Sequence, residues 1–255
     1  MHKPQRILTL FLTAGLFVSC GGRTAEEETE KPEPGYPSIG VVRPTDGLLT
    51  EEDDGITICI DPGHGFDDIG CSSQYLTGEK EEKDITVLYA IELKSALEQM
   101  GYTVILTHDG QSFPQEFNFN GNNIFSADER AAYVNSLDAD YFVSLHCDTF
   151  DEDASIGGIR VYYYDSSVKT ATYSGAVANS ISAYLAKEFP DAKTPSVHDN
   201  QSYAVLRETE TAASLVEIGF ISNKTDAMNI QDPQWQEKFV NGLAEGINGY
   251  FSLYQ

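Results

Sequence analysis

Short β-branched apolar runs alternate with segments of helical period along most of this chain, and that alternation restricts its fold more than any other feature. The runs are Ile56–Ile60, Tyr102–Thr107, Tyr141–Leu145, Ile159–Tyr164 and Ser214–Phe220, with Tyr203–Leu206 a shorter one. Their lengths and continuous apolar character suit strands buried on both faces. Strands separated by amphipathic helices form crossover units, whose strands lie parallel beneath covering helices. The expected fold class is therefore α/β: a three-layer sandwich with a mostly parallel, about six-stranded twisted sheet flanked by helices.

The intervening segments carry their own punctuation. Ile85, Leu88, Ile91, Leu93, Leu97 and Met100 recur at near-helical spacing behind the acidic start Glu81-Glu82-Lys83-Asp84, and Gly101 stands where a helix stops. Ser126-Ala127-Asp128-Glu129 is a capping-box pattern that opens a helix to about Leu137. Thr172–Phe189 reads as a long amphipathic helix ended by Pro190. Asp232-Pro233 places an N-cap and an N1 proline ahead of Trp235, Phe239, Leu243 and Ile247. Gln111–Phe125 and Thr194–Ser202 have no clear period and read as loops. No internal repeat is present, and residues 55–255 are expected to form one domain.

The first 54 residues are of another kind. Lys3 and Arg6 precede the apolar run Ile7–Val18, which has the length of a secretory h-region and is short for a bilayer span. Leu16-Phe17-Val18-Ser19-Cys20 resembles a bacterial lipobox. On that reading residues 1–20 are a signal peptide and Cys20 takes the lipid, the rival reading being a soluble export signal. Residues 21–54 interleave Pro32, Pro34, Gly35 and Pro37 with Glu26-Glu27-Glu28, Glu30 and Glu33, the composition of a flexible acidic linker. The net charge of −24 disfavours nucleic acid, which needs a cationic face. Cys59, Cys71 and Cys147 cannot all pair with one another, and their spacing makes no structural zinc site.

The chemistry gathers at strand ends. Ile58-Cys59-Ile60 stops at Asp61-Pro62-Gly63, and His64 follows in the turn; His146 directly follows Tyr141–Leu145. Carboxyl ends of parallel strands share one sheet edge, where ligands and catalytic groups collect. Glu82, at the start of the first helix, opens towards the same edge. Two imidazoles and a carboxylate leave one tetrahedral position open, the pattern of catalytic zinc. Glu79, beside Lys80, is a rival third ligand. Glu217 lies in an otherwise apolar strand, where a carboxylate must be paired, metal-bound or catalytic.

Ile60-Asp61-Pro62-Gly63-His64-Gly65, Glu82-Lys83-Asp84, Ser144-Leu145-His146-Cys147-Asp148 and Val216-Glu217-Ile218-Gly219-Phe220-Ile221-Ser222-Asn223 resemble, in order, the motifs of the zinc-dependent N-acetylmuramoyl-L-alanine amidases. The likeness runs from about Ile56 to Phe251. It implies that His64, Glu82 and His146 hold one Zn2+ and that Glu217 is the catalytic acid/base. The bond cleaved would be the amide between N-acetylmuramic acid and the L-alanine of the stem peptide. Asp148 stands where asparagine is common, His108 where arginine is, and the segment between His64 and Glu82 is longer than usual. Arg207, His198 and Asp148 are candidate substrate contacts, though an ion pair within an acidic protein would equally explain Arg207, and a hydrogen-bonding surface role His198. The implied partners are peptidoglycan and, through Cys20, a membrane. The implied location is the bacterial envelope, as an exported lipoprotein facing the periplasm. The alternative is a non-catalytic peptidoglycan-binding lipoprotein on the same fold. A nucleotide-binding α/β protein is remote, because Gly63-His64-Gly65 lacks the spaced glycines and lysine of a phosphate cradle. The interval between His146 and Glu217 is too short for a large blocking insertion, so an open cleft is expected.

Overall fold

The computed structural model describes residues 55–78, 80–165 and 169–253. The export signal, Cys20, the acidic linker and Glu79 lie outside those residues. Six strands build a single sheet: β1 (Thr57–Pro62), β2 (Thr103–Leu106), β3 (Tyr141–Asp148), β4 (Arg160–Tyr163), β5 (Ser196–Asp199) and β6 (Ala212–Phe220), in the order β2-β1-β3-β6-β4-β5. All neighbours run parallel except β4 and β6, which pair antiparallel, so the last two strands reverse direction against the rest. The central strands are buried almost throughout, β6 along its entire length. That burial is why their sequences read as continuous apolar runs rather than alternating ones.

Helices cover both faces. On one lie α1 (Glu82–Gln99), α3 (Lys169–Glu188), α5 (Lys224–Ile230) and α6 (Pro233–Phe251), packed on the side of Ile58, Ile60, Val143, Leu145, Val216 and Ile218. The other face carries α2 (Ala127–Ser136) and the short α4 (Ala204–Arg207) over Cys59, Phe142, Ala213 and Leu215. Ser126 caps α2: its hydroxyl accepts the Glu129 N–H, and Glu129 returns a carboxylate oxygen to the Ser126 N–H. Asp232 caps α6 by accepting from Gln234 N and Trp235 N, with Pro233 following it. The long helix between His146 and Glu217, α3, packs against α6 and the sheet.

Two readings need correction. Tyr203–Leu206 is not a strand: Ala204–Arg207 forms one helical turn, preceded by Asn200, whose side-chain oxygen accepts from Ser202 N and Tyr203 N. The fifth strand is instead Ser196–Asp199, inside the segment read as a loop. Its one apolar residue, Val197, carries no pattern; pairing along β4 makes it a strand.

Candidate metal centre

The turn after β1 is built under strain and held from several sides. His64 and Phe66, neither a glycine, have φ of 65° and 57°. Side chains rarely adopt that left-handed region unless their surroundings impose it. Here they do. Gly63 N donates to Leu145 O (2.8 Å), Thr86 Oγ1 to Gly63 O (2.7 Å) and Lys83 Nζ to Phe66 O (2.8 Å). His108, buried below the turn, has Nε2 2.8 Å from Pro62 O while Nδ1 accepts the Gly110 N–H. That second bond assigns the Nε2–H tautomer, and burial pushes the His108 pKa down, which suits a neutral ring.

Three side chains converge above this turn. His64 Nε2 lies 3.3 Å from Glu82 Oε2, and His146 Nδ1 lies 3.1 Å from Glu82 Oε1. The two rings meet edge to face, their centroids 4.9 Å apart. One donor atom from each of the three residues lies within 4.8 Å of the other two. Glu82 is only 1 % exposed, and its oxygens also accept the Cys71 N–H (2.8 Å) and the Cys147 N–H (2.9 Å). Burial alone would raise its pKa. The hydrogen bonds from His146 and His64, and their charges, outweigh burial and hold the carboxyl well below the usual carboxylate range.

The histidines diverge. Burial pulls both down, but His64 is hydrogen-bonded to Asp68 (Nδ1 to Oδ2, 2.9 Å) and to Glu82, and these raise its pKa to about 10. For His146 burial wins and the pKa falls. Of the two rings, His64 is therefore the one that holds a proton more tightly.

The surroundings fit a small cation. A Cβ on Gly63 would come within 2.4 Å of His146 Cε1, and one on Gly70 within 2.6 Å of Glu82 Oε2, so both glycines leave room that the donors need. His146 Nε2 is buried and has no hydrogen-bond partner. Asp68 fixes the orientation of His64 through its other ring nitrogen, as a carboxylate commonly does for a metal-binding imidazole. Two imidazole nitrogens and a carboxylate form a donor set suited to zinc.

Glu217 is 5 % exposed on β6, in register with His146 of β3 and with Arg160 of β4. Opposed residues on neighbouring strands share a face, so His146, Glu217 and Arg160 form one row across the sheet. One step lower, Asp61 at the end of β1 accepts from Arg130 Nη1 (2.7 Å), Ser144 Oγ (2.6 Å) and Thr107 Oγ1 (2.6 Å). This buried network joins β1, β2, β3 and α2 directly beneath the turn.

The structure thus brings together His64, Glu82 and His146, with Glu217 beside His146. His146 is inside β3, not beyond its end as expected, because the strand continues to Asp148 through a register shift. Asp148 is buried at that terminus, and its Oδ1 accepts the Thr149 N–H. Arg207 stands apart from the cluster: its side chain bonds Glu208 Oε1 (2.8 Å) and Ser202 O on the surface. His198 pairs in register with Tyr162, one row below Arg160, and its ring lies 5.6 Å from the Tyr162 ring. Sequence reasoning missed Asp68 and Arg160. An acid four residues after His64 gives no signal in a loop, whereas an arginine opening an apolar strand of an acidic chain was a usable one.

With this geometry in view, residues 58–249 match the model of the Amidase_3 family, described as N-acetylmuramoyl-L-alanine amidase. The chain is 32% identical over 199 residues to the probable cell wall amidase LytH of Staphylococcus aureus, a match covering 78% of this chain and 59% of that protein. The chain thus spans about three-fifths of the length of the curated relatives it matches. Among solved structures it resembles the N-acetylmuramoyl-L-alanine amidase AmiC2 of Nostoc punctiforme (26% identity, TM-score 0.64, 77% of this chain and 97% of that one). It also resembles the CwlD amidase of Clostridioides difficile, solved with the GerS lipoprotein (25% identity, TM-score 0.67, 78% and 100%).

Proposed function

This chain belongs to the N-acetylmuramoyl-L-alanine amidase family, and from that premise we propose that it hydrolyses the amide joining N-acetylmuramic acid to the L-alanine of the peptidoglycan stem peptide. The observation that carries the reading is the His64–Glu82–His146 cluster with Glu217 in register beside His146. His64, Glu82 and His146 would hold one Zn2+, oriented by Asp68 and by the two backbone N–H groups on Glu82. A zinc ion bound there supplies a Lewis acid and brings the pKa of its water towards neutrality.

Glu217 does the proton transfer. It takes a proton from the attacking water as the water oxygen bonds to the carbonyl carbon. It then delivers that proton to the nitrogen as the carbon–nitrogen bond breaks, leaving a muramoyl carboxylate and a free alanine amine. A carboxylate buried next to a cation-binding cluster can act this way because the enclosing sheet keeps bulk water from competing for the proton.

The purified protein should release peptides bearing a free N-terminal alanine from soluble peptidoglycan fragments. A chelator should abolish release, and added zinc should restore it. Glu217→Gln should keep its metal and lose at least about 100-fold in kcat, the usual worth of a positioned acid/base. Products with the muramoyl–alanine amide intact would overturn the reading. Unchanged turnover in Glu217→Gln would remove Glu217 from the chemistry.

We extend the proposal to location: residues 1–20 direct export, Cys20 carries a lipid in the bacterial envelope, and residues 21–54 link it to the catalytic domain. Among the described residues no helix is long and apolar enough to cross a membrane.

A further inference from the structure

Arg160 is the third member of the row that begins with His146 and Glu217. Opposed residues of an antiparallel pair hold their Cβ atoms about 4.5–5.5 Å apart, which sets Arg160 directly against Glu217. Its guanidinium lies over the Phe220 ring, 4.6 Å from the centroid, and Nη1 donates to Tyr162 Oη at 3.3 Å. Among the described residues it forms no ion pair, and of the five N–H donors a guanidinium carries, Nη1 is given to Tyr162. Among the described residues, Arg130 is committed to Asp61, and Lys83 to Glu81 and Phe66 O. Burial works against the guanidinium's charge, and Tyr162, Asp148 and Glu217 together outweigh it.

The order of the row gives Arg160 a task. The metal cluster stands at the His146 end, Glu217 is in the middle, and Arg160 is at the other end. A substrate with its carbonyl at the cluster and its nitrogen at Glu217 runs its leaving peptide on towards Arg160. Neighbouring strands are about 4.8 Å apart, and an extended peptide advances about 3.3 Å per residue. The guanidinium therefore faces a group one or two residues beyond the scissile nitrogen. The acidic chain repels anions at long range, but at physiological salt that field is screened beyond about 8 Å, so a local cation decides recognition.

Resting on the amidase reading, we propose that Arg160 is a specificity residue that binds a carboxylate of the stem peptide on the leaving side of the scissile amide. Guanidinium and carboxylate make paired, charge-assisted hydrogen bonds, which a carboxamide matches poorly.

The test uses two synthetic N-acetylmuramoyl peptides that carry, on the residue after L-alanine, either a free carboxylate or its carboxamide. Both are titrated by calorimetry into full-length, zinc-loaded Glu217→Gln protein, which reads binding without turnover. The carboxylate peptide should bind at least about tenfold tighter, Arg160→Met in that background should erase the preference, and Arg160→Lys should keep part of it. Equal affinity for the two peptides with Arg160 intact overturns the proposal, and so does binding of neither. An equal loss on both peptides in Arg160→Met overturns it as well, since the guanidinium would then serve only to hold Glu217 and Tyr162. Should Arg160→Met fail to fold, Arg160→Lys against the parent decides. Turnover by the wild-type protein is measured in parallel: failure to cleave either peptide there counts against the amidase reading, whereas a lost preference with intact cleavage counts against Arg160 alone.

Discussion

His64 is the most constrained residue of the cluster, since it sits at a positive φ and is gripped by carboxylates on both ring nitrogens. Asp68 is the grip that faces away from the cluster, so its loss should free the ring without removing a ligand. Asp68→Asn is expected to lower zinc affinity about 10- to 100-fold, measured by competition with a chromophoric chelator. Unchanged affinity would mean that the strained backbone alone orients the ring. A second outcome follows from the proton that His64 holds. With an ordinary histidine pKa of 6.5 raised to about 10, the ring is charged in the metal-free protein from neutral pH up to that value. Zinc needs the neutral ring, so binding must expel the proton. Apparent affinity should rise about tenfold per pH unit between pH 6.5 and about 10 and level off above, with close to one proton released per zinc at pH 8. Calorimetry in buffers of different ionisation enthalpy reads that number directly. In Asp68→Asn, where one of the two carboxylates is gone, the release at pH 8 should shrink.

At the scale of elements, the buried pair Arg130–Asp61 ties α2 to the end of β1, with the residues 4 % and 0 % exposed. Arg130→Met leaves Asp61 charged with no cation, and such a break costs about 3–5 kcal/mol in urea unfolding. Adding Asp61→Asn should recover much of it, because the stranded charge goes too. The α3–α6 crossing is a separate matter. A Cβ on Gly246 would lie 2.6 Å from Ile181 Cα, a backbone atom that cannot swing aside. Gly246→Ala should therefore destabilise by about 1–3 kcal/mol through forced helix separation. Its zinc affinity should stay at the wild-type value, since the close approach lies between α3 and α6, neither of which carries His64, Glu82 or His146. These contrasts also explain what was legible. Apolar runs and caps gave β1, α1, α2, β3, β6 and α6 closely, because burial and capping leave a local trace in residue type. Ser196–Asp199 left none, being an edge strand made by backbone pairing. Tyr203–Leu206 misled, since four residues of mixed apolar character suit a helical turn as well as a strand. The convergence of His64, Glu82 and His146 was anticipated from motifs, whereas Asp68 matters through the turn that brings it back onto His64, and Arg160 through its register with Glu217.

For the whole molecule the question is how an acidic chain works next to an anionic wall. Its net charge of −24 gives no long-range attraction to anionic polymers, so placement beside the wall is one way to supply the encounter. The proposed anchor at Cys20 supplies it. The 34 residues between Cys20 and Gly55 extend at most about 120 Å, which confines the catalytic domain to a shell beside the membrane. Confinement raises local concentration without any new contact, and it acts on the polymer but not on small soluble fragments. Cys20→Ala should accordingly move the protein from the membrane fraction to the soluble one. Its kcat/KM on soluble muropeptides should stay at the wild-type value, while turnover of intact wall in cells falls. Labelling with a clickable fatty acid should mark the wild-type chain and not the variant. Membrane association that survives Cys20→Ala would place the attachment elsewhere, and wild-type protein found wholly soluble would return residues 1–20 to an ordinary export signal.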